Sequence, residues 1–96
     1  MAKLEVRWTK IAIDNLNNAY ESISADRENS AKKIIAKIEG GVDQLCRFPE
    51  SGRLGRVQGT RELVVVTTPF IIIYRLKNSS IEILSILHAS RKWPDD

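Results

Sequence analysis

Basic side chains gather at two places in this sequence. Arg53, Arg56 and Arg61 crowd one stretch, with no acidic residue from Ser51 through Thr60. Near the C-terminus His88 is followed by Arg91 and Lys92, and Arg75 stands beside Tyr74 between the two groups. Guanidinium forks match phosphate oxygens through paired hydrogen bonds, and an imidazole exchanges protons near neutral pH. A metal-independent ribonuclease uses this equipment, with a base for the ribose 2′-hydroxyl and cations for the charged transition state. On that reading His88, Arg91 and Arg61 are the catalytic candidates, while Arg53, Arg56, Arg75 and Lys92 bind RNA or another target. The same residues also have ordinary uses, as solvated loop arginines and as a structural histidine closing a strand.

Other chemistries find less support. Cys46 lies at the edge of an apolar helical stripe, which suits a core position better than a nucleophile. The sequence has no Cys/His cluster with zinc spacing, no phosphate-binding glycine loop and no paired carboxylates, so neither a metal nor a cofactor is expected. Trp8 and Trp93 read as packing residues, although Trp93 could stack on a base.

The elements that must position these groups can be read from periodicity. Leu4 to Trp8 alternates apolar and charged residues, as a short half-exposed strand does. Thr9 is placed to cap a helix whose apolar positions are Ala12, Ile13, Leu16, Ala19, Tyr20 and Ile23. After the polar stretch Ser24 to Asn29, a second helix capped by Asn29 or Ser30 carries Ala31, Ile34, Ile35, Ile38, Val42 and Leu45. It stops at Pro49, which turns Phe48 away from helical angles. Gly40 and Gly41 inside it suggest close packing against the first helix. Glu50 to Thr60 reads as a loop. Strands follow at Glu62 to Thr67, Phe70 to Leu76 and Ile81 to His88, joined by turns short enough for antiparallel hairpins.

The expected fold is therefore α+β: a strand, a helical hairpin, then a three-stranded antiparallel sheet, in one domain spanning residues 1–96. A simple hairpin order predicts that Arg61, His88 and Arg91 come within reach of one another. Val64-Val65-Val66 and Ile71-Ile72-Ile73 are apolar at every position, so both faces of the sheet are greasy. Two helices cover one face, and the other is left for a protein partner, or for the tail and the 50s loop folding back.

Composition sets the outer bounds. The 96 residues are 43% hydrophobic, enough for a packed core, and the formal charge of +3 permits nucleic acid or an acidic protein without choosing between them. A single cysteine allows no intrachain disulfide, the N-terminal residues lack a secretory apolar run, and no segment approaches a membrane span. A cytoplasmic protein with no membrane partner is the expectation.

The run Gly52-Arg53-Leu54-Gly55-Arg56-Val57-Gln58-Gly59-Thr60-Arg61-Glu62-Leu63-Val64 resembles the central motif of RelE/ParE-superfamily toxins of type II toxin–antitoxin systems. Pro69-Phe70-Ile71-Ile72-Ile73-Tyr74-Arg75 is similar to the central strand of that family, which typically ends in tyrosine. Ile86-Leu87-His88, then Arg91 and Trp93-Pro94, resemble its closing segment. Trp8-Thr9 and Phe48-Pro49 fit as well, so the likeness covers nearly the whole chain in order.

This resemblance implies a growth-arresting toxin neutralised by a cognate antitoxin. The antitoxin would lay apolar side chains on the face carrying Val64, Val66, Ile71 and Ile73, with acidic groups near Arg53 or Arg61. The superfamily divides over its target. RelE-like members cleave mRNA in the ribosomal A site, and ParE-like members inhibit DNA gyrase without known nuclease chemistry. RelE-like central strands carry lysines and arginines where this sequence has Val64, Val66 and Ile71. The Met-Asp that usually follows the ParE-like histidine is missing, and Arg91-Lys92 stands there instead. The set Arg53, Arg56, Arg61, His88 and Arg91 favours ribosome-dependent mRNA cleavage, and a ParE-like gyrase inhibitor is the alternative.

Overall fold

Thr9 turns the chain from strand into helix. Its extended backbone (φ −70°, ψ 159°) lets its hydroxyl accept from the Ala12 N–H, while the same hydroxyl donates to the Ile83 carbonyl 2.8 Å away. One residue thus fixes both the start of the first helix and its place on the sheet. The computed structural model describes residues 3–91 and 93–94, so Lys92, one of the target-binding candidates, lies outside the described residues.

The elements in chain order are β1 (Glu5–Trp8), α1 (Lys10–Ser24), α2 (Glu28–Arg47), β2 (Arg53–Leu54), β3 (Arg61–Val64), β4 (Phe70–Lys77) and β5 (Ser80–His88). They form one five-stranded mixed sheet in the order β1-β5-β4-β3-β2. The expected separate strand and three-stranded antiparallel sheet are therefore corrected. β1 joins the sheet as the parallel neighbour of β5, pairing Val6 with Ile81 and Trp8 with Ile83. β2 adds an antiparallel edge beyond β3, with Arg53 opposite Glu62. Local periodicity cannot reveal a partner about 75 residues away, and two residues in a glycine–arginine stretch carry no alternation.

Boundaries shift for local reasons. β3 ends at Val64, not Thr67, because Val65 to Pro69 turns back, closed by bonds from Val65 N to Phe70 O and from Thr68 N to Val65 O. The helix α2 begins at Glu28 after Arg27, without a side-chain cap from Asn29 or Ser30. The β4–β5 hairpin uses Asn78 and Ser79 at φ 50° and 66°, the paired left-handed angles of a two-residue turn matched to strand twist.

The helices cover one face of the sheet. Ile38, Val42 and Leu45 of α2 and Ala12 of α1 pack with Phe70, Ile72, Tyr74, Ile81, Ile83 and Ile86, all buried. Gly41 permits this contact. A Cβ there would stand 3.0 Å from the Ile72 Cδ1, so the glycine serves helix-to-sheet packing and not the helix hairpin. Strict alternation would send Ile83 and Ile86 to opposite faces. The register slips at Ile73/Tyr74, which leaves Leu84 without a partner on β4 and returns Ile86 to the core.

The opposite face carries Val64, Ile71, Ile73, Arg75 and Leu87, since cross-strand partners share a face. Among the described residues no helix is long and apolar enough to cross a membrane.

Candidate functional site

The sheet register decides which candidate residues meet. Arg61 pairs with Tyr74 on β4, whereas His88 pairs with Phe70. Four residues of strand separate the two levels, roughly 13 Å along the sheet, and the two strand spacings add about 10 Å across it. The expected meeting of Arg61 with His88 and Arg91 therefore does not form. β3 and β5 run in the same direction, each antiparallel to β4, so the start of one is far from the end of the other. Arg61 instead donates from Nη1 to the Gly52 carbonyl at 2.8 Å, holding the 50s loop.

His88 and Arg91 are brought together. Both line a groove of about 1000 Å³ between α1 and the C-terminal segment, with Asn15, Ile23, Phe70 and Trp93 also on its wall. The Arg91 N–H donates to the His88 carbonyl at 2.9 Å. The His88 ring stands edge-on to Phe70, with ring centres 5.6 Å apart. Its Nδ1 accepts from the Ser90 backbone N–H at 3.2 Å and lies 2.8 Å from the Ser90 hydroxyl. A backbone N–H can only donate, so the neutral imidazole carries its proton on Nε2. In that tautomer the nitrogen facing away from Ser90 is a donor, and a general base needs an acceptor.

The remaining basic residues sit elsewhere. Arg53 is exposed and donates to Glu62 Oε1 from Nε and Nη2 at 3.2 and 3.0 Å. Arg75 pairs with Glu82 across β4 and β5 on the open face. Arg56 is exposed in the turn after β2. Of the apolar candidates, Val64 is 49% exposed and Ile71 half-buried, but Ile73 is 1% exposed and offers a partner almost nothing. Val66 is highly exposed, yet it belongs to the turn after β3 rather than to the strand.

Two side chains that periodicity passed over hold the frame. Tyr74 is fully buried, and its hydroxyl donates to Pro49 O at 2.8 Å and accepts from Gly52 N–H at 3.0 Å. Burial pushes its phenol above the ordinary value of 10.0, against smaller pulls from the Gly52 N–H and Arg61. Asn15 Oδ1 accepts from the Ile86 N–H at 3.1 Å and the Ser85 hydroxyl at 2.8 Å, sealing the β5 edge beyond the end of β1. The available signal for Asn15 was its place in the four-residue row Ile11, Asn15, Ala19, Ile23, a polar residue in an apolar stripe. Cys46 is buried, and desolvation raises its thiol above the usual range, which leaves it protonated and unreactive. Among the described residues no three His, Cys, Asp or Glu side chains cluster as metal ligands would.

With this geometry in view, likeness to known proteins adds a frame. Residues 6–93 match the model of the ParE toxin of the type II toxin–antitoxin system parDE. The chain is 39% identical over 94 residues to Y4kP of Sinorhizobium fredii, a protein described as a candidate toxin, covering 98% of this chain and 97% of that one. It is 32% identical over 87 residues to toxin RelE2 of Caulobacter vibrioides, covering 91% and 97% of the two chains. Among solved structures, a chain of the chromosomal ParDE toxin–antitoxin system from P. aeruginosa superposes with a TM-score of 0.81 at 27% identity, covering 90% of this chain and 96% of that one. The RelBE2 toxin–antitoxin complex from Mycobacterium tuberculosis shares the fold, with a TM-score of 0.62 at 23% identity over 91% and 99% of the chains.

Proposed function

Because the chain belongs to the ParE toxin family of type II toxin–antitoxin systems, we propose that it arrests growth by docking on a protein target, DNA gyrase, rather than by cleaving mRNA. The observation that carries this reading is the dispersal of the would-be catalytic groups. Arg61 is committed to the Gly52 carbonyl, and His88 Nδ1 is committed to Ser90. A phosphate-cleaving site needs base and cations around one scissile bond, and these residues face different ends of the sheet. The stronger likeness to the ParDE structure than to the RelBE2 structure supports the same choice. The chain acts in the cytoplasm on this reading, since its target is there.

One observation favours the nuclease alternative: His88 and Arg91 lie together on an open groove. The test runs both assays on one preparation. Purified toxin should inhibit gyrase supercoiling and leave mRNA on translating ribosomes intact, and His88→Ala should change growth arrest by less than about tenfold. Metal-free mRNA cleavage that His88→Ala lowers by roughly 10²–10⁴-fold, the share a general acid–base group contributes, would overturn the proposal.

The antitoxin's seat follows from the uncovered sheet face. Val64, Ile71 and Leu87 form its apolar strip at one end of the face, with the Arg53–Glu62 pair and then the Arg75–Glu82 pair farther along the sheet. An amphipathic antitoxin segment would bury that strip, with apolar burial supplying affinity and charge setting register.

A further inference from the structure

Three large apolar side chains stand exposed on the segment between α2 and β3. Phe48 is 65% exposed, Leu54 77% and Val57 37%, all within ten residues of one another. Leu54 points to the helix side of the sheet, opposite Arg61, so it is not part of the open face proposed for the antitoxin. Arg53 and Arg56 are interleaved with these residues, and Ser51 through Thr60 contains no carboxylate.

A mobile loop could fold such side chains onto the protein, but this one is held away. Tyr74 pins it at Pro49 and Gly52, and Arg61 pins the Gly52 carbonyl. A Cβ at Gly52 would stand 2.5 Å from the Tyr74 hydroxyl, and one at Gly55 would overlap the Thr60 hydroxyl. Farther along, Gly55 N–H donates to Thr60 O at 2.8 Å, while Thr60 N–H and hydroxyl both reach Val57 O. A backbone fixed at so many points presents Phe48, Leu54 and Val57 in one arrangement, which lowers the ordering cost of binding.

We propose that this loop is the surface by which the toxin grips its target, a protein face with an apolar recess ringed by acidic groups. The proposal rests on the protein-target reading above and names its contact. Leu54 and Val57 have no flat ring to stack on a base, and their desolvation is gained only against another apolar surface. Arginine beside exposed apolar side chains is the composition of a protein-docking patch. Arg53 is already neutralised by Glu62, so the excess positive charge at the rim comes from Arg56.

The test uses Phe48→Ser/Leu54→Ser and, separately, Arg56→Glu, in the full chain purified from its antitoxin. These side chains are exposed, so the melting temperatures should stay within a few degrees of wild type. Growth arrest should be lost, and binding to purified gyrase should weaken by roughly tenfold or more, as truncation of interface anchors does. Affinity for the antitoxin should stay within about twofold. Arg56→Glu should act more strongly than Arg56→Ala and mainly at low salt. Full growth arrest by the double variant overturns the proposal. So does a parallel loss of antitoxin affinity, which would make the loop the antitoxin's seat. An effect of Arg56→Glu with none from the double variant also overturns it, since that is the pattern of phosphate contact. If wild-type toxin leaves gyrase unaffected while the double variant still loses growth arrest and keeps its antitoxin, the gyrase reading fails and the loop surface stands.

Discussion

Tyr74 carries two duties with one hydroxyl, closing the core and anchoring the loop at Pro49 and Gly52. Tyr74→Phe keeps the ring but leaves the buried Gly52 N–H and the partly buried Pro49 carbonyl without that partner, which should cost about 1–3 kcal/mol. Urea unfolding measures it, and a loss below a few tenths would show that water replaces the hydroxyl. The phenol also sets an alkaline limit. Tyr74 and Cys46 both have folded-state pKa values raised by burial above 10.0 and 9.0. Folded protein therefore holds these protons where unfolded chain has released them. Their contribution is fully present below about pH 9 and declines as pH rises through the raised values. Stability measured between pH 8 and 11 should fall, and Tyr74→Phe should flatten the upper part of that slope. At the acid end the Lys3 ammonium, hydrogen-bonded to Asp43, holds that carboxyl below its ordinary value, but the pair is exposed and contributes little. Residue type alone marked Arg53, Arg61 and His88 as noteworthy. It did not show that Arg61 and the His88 ring nitrogen are spent on backbone groups, because hydrogen-bond partners are set by the tertiary register.

At the scale of elements, the sequence pattern was clearest where contacts are local. The helix start at Thr9, the stop before Pro49 and the two hairpin turns follow from capping, proline geometry and turn chemistry within a few residues. The parallel β1–β5 pairing and the edge strand β2 depend on residues distant in sequence, so period-two alternation carries no trace of them, and the slip at Leu84 shows only as a change of parity between Ile83 and Ile86. Strand direction also corrects the candidate site, since β3 and β5 run the same way and the start of β3 at Arg61 lies far from the end of β5 at His88. Asn15 is the clearest test of how α1 is attached. It supplies the acceptor for the Ile86 N–H where β1 no longer flanks β5. Asn15→Leu should destabilise the protein by about 1–3 kcal/mol despite adding apolar surface, because a strand-edge donor is left unpaired. Ser85→Ala, which removes only the second donor to the same oxygen, should cost less. Hydrogen exchange at Ile86 should quicken in Asn15→Leu and stay near wild type in Ser85→Ala. Equal exchange in both variants would mean that the edge is protected by packing and not by the amide.

For the whole molecule, on the proposed reading, one small domain must meet both an antitoxin and a target. Both helices lie on one side of the sheet, which leaves the strip of Val64, Ile71 and Leu87 open on the other. The loop bearing Phe48 and Leu54 projects from a different part of the surface. Separate surfaces predict separable losses. Val64→Asp places a carboxylate on the open strip, at a half-exposed site where the free toxin can hydrate it. The free toxin should therefore lose little stability, and growth arrest should persist. The antitoxin, in contrast, would have to bury that charge against apolar side chains, a penalty of several kcal/mol when no partner is supplied. Its affinity should fall by at least about a hundredfold, which 2.7 kcal/mol would produce, and co-expression should no longer rescue growth. Isothermal titration against the purified antitoxin, beside the same titration of Phe48→Ser/Leu54→Ser, reads both surfaces in one series. If Val64→Asp abolishes growth arrest while its antitoxin affinity is unchanged, the open face belongs to the target, and the antitoxin must neutralise the toxin from the helix side.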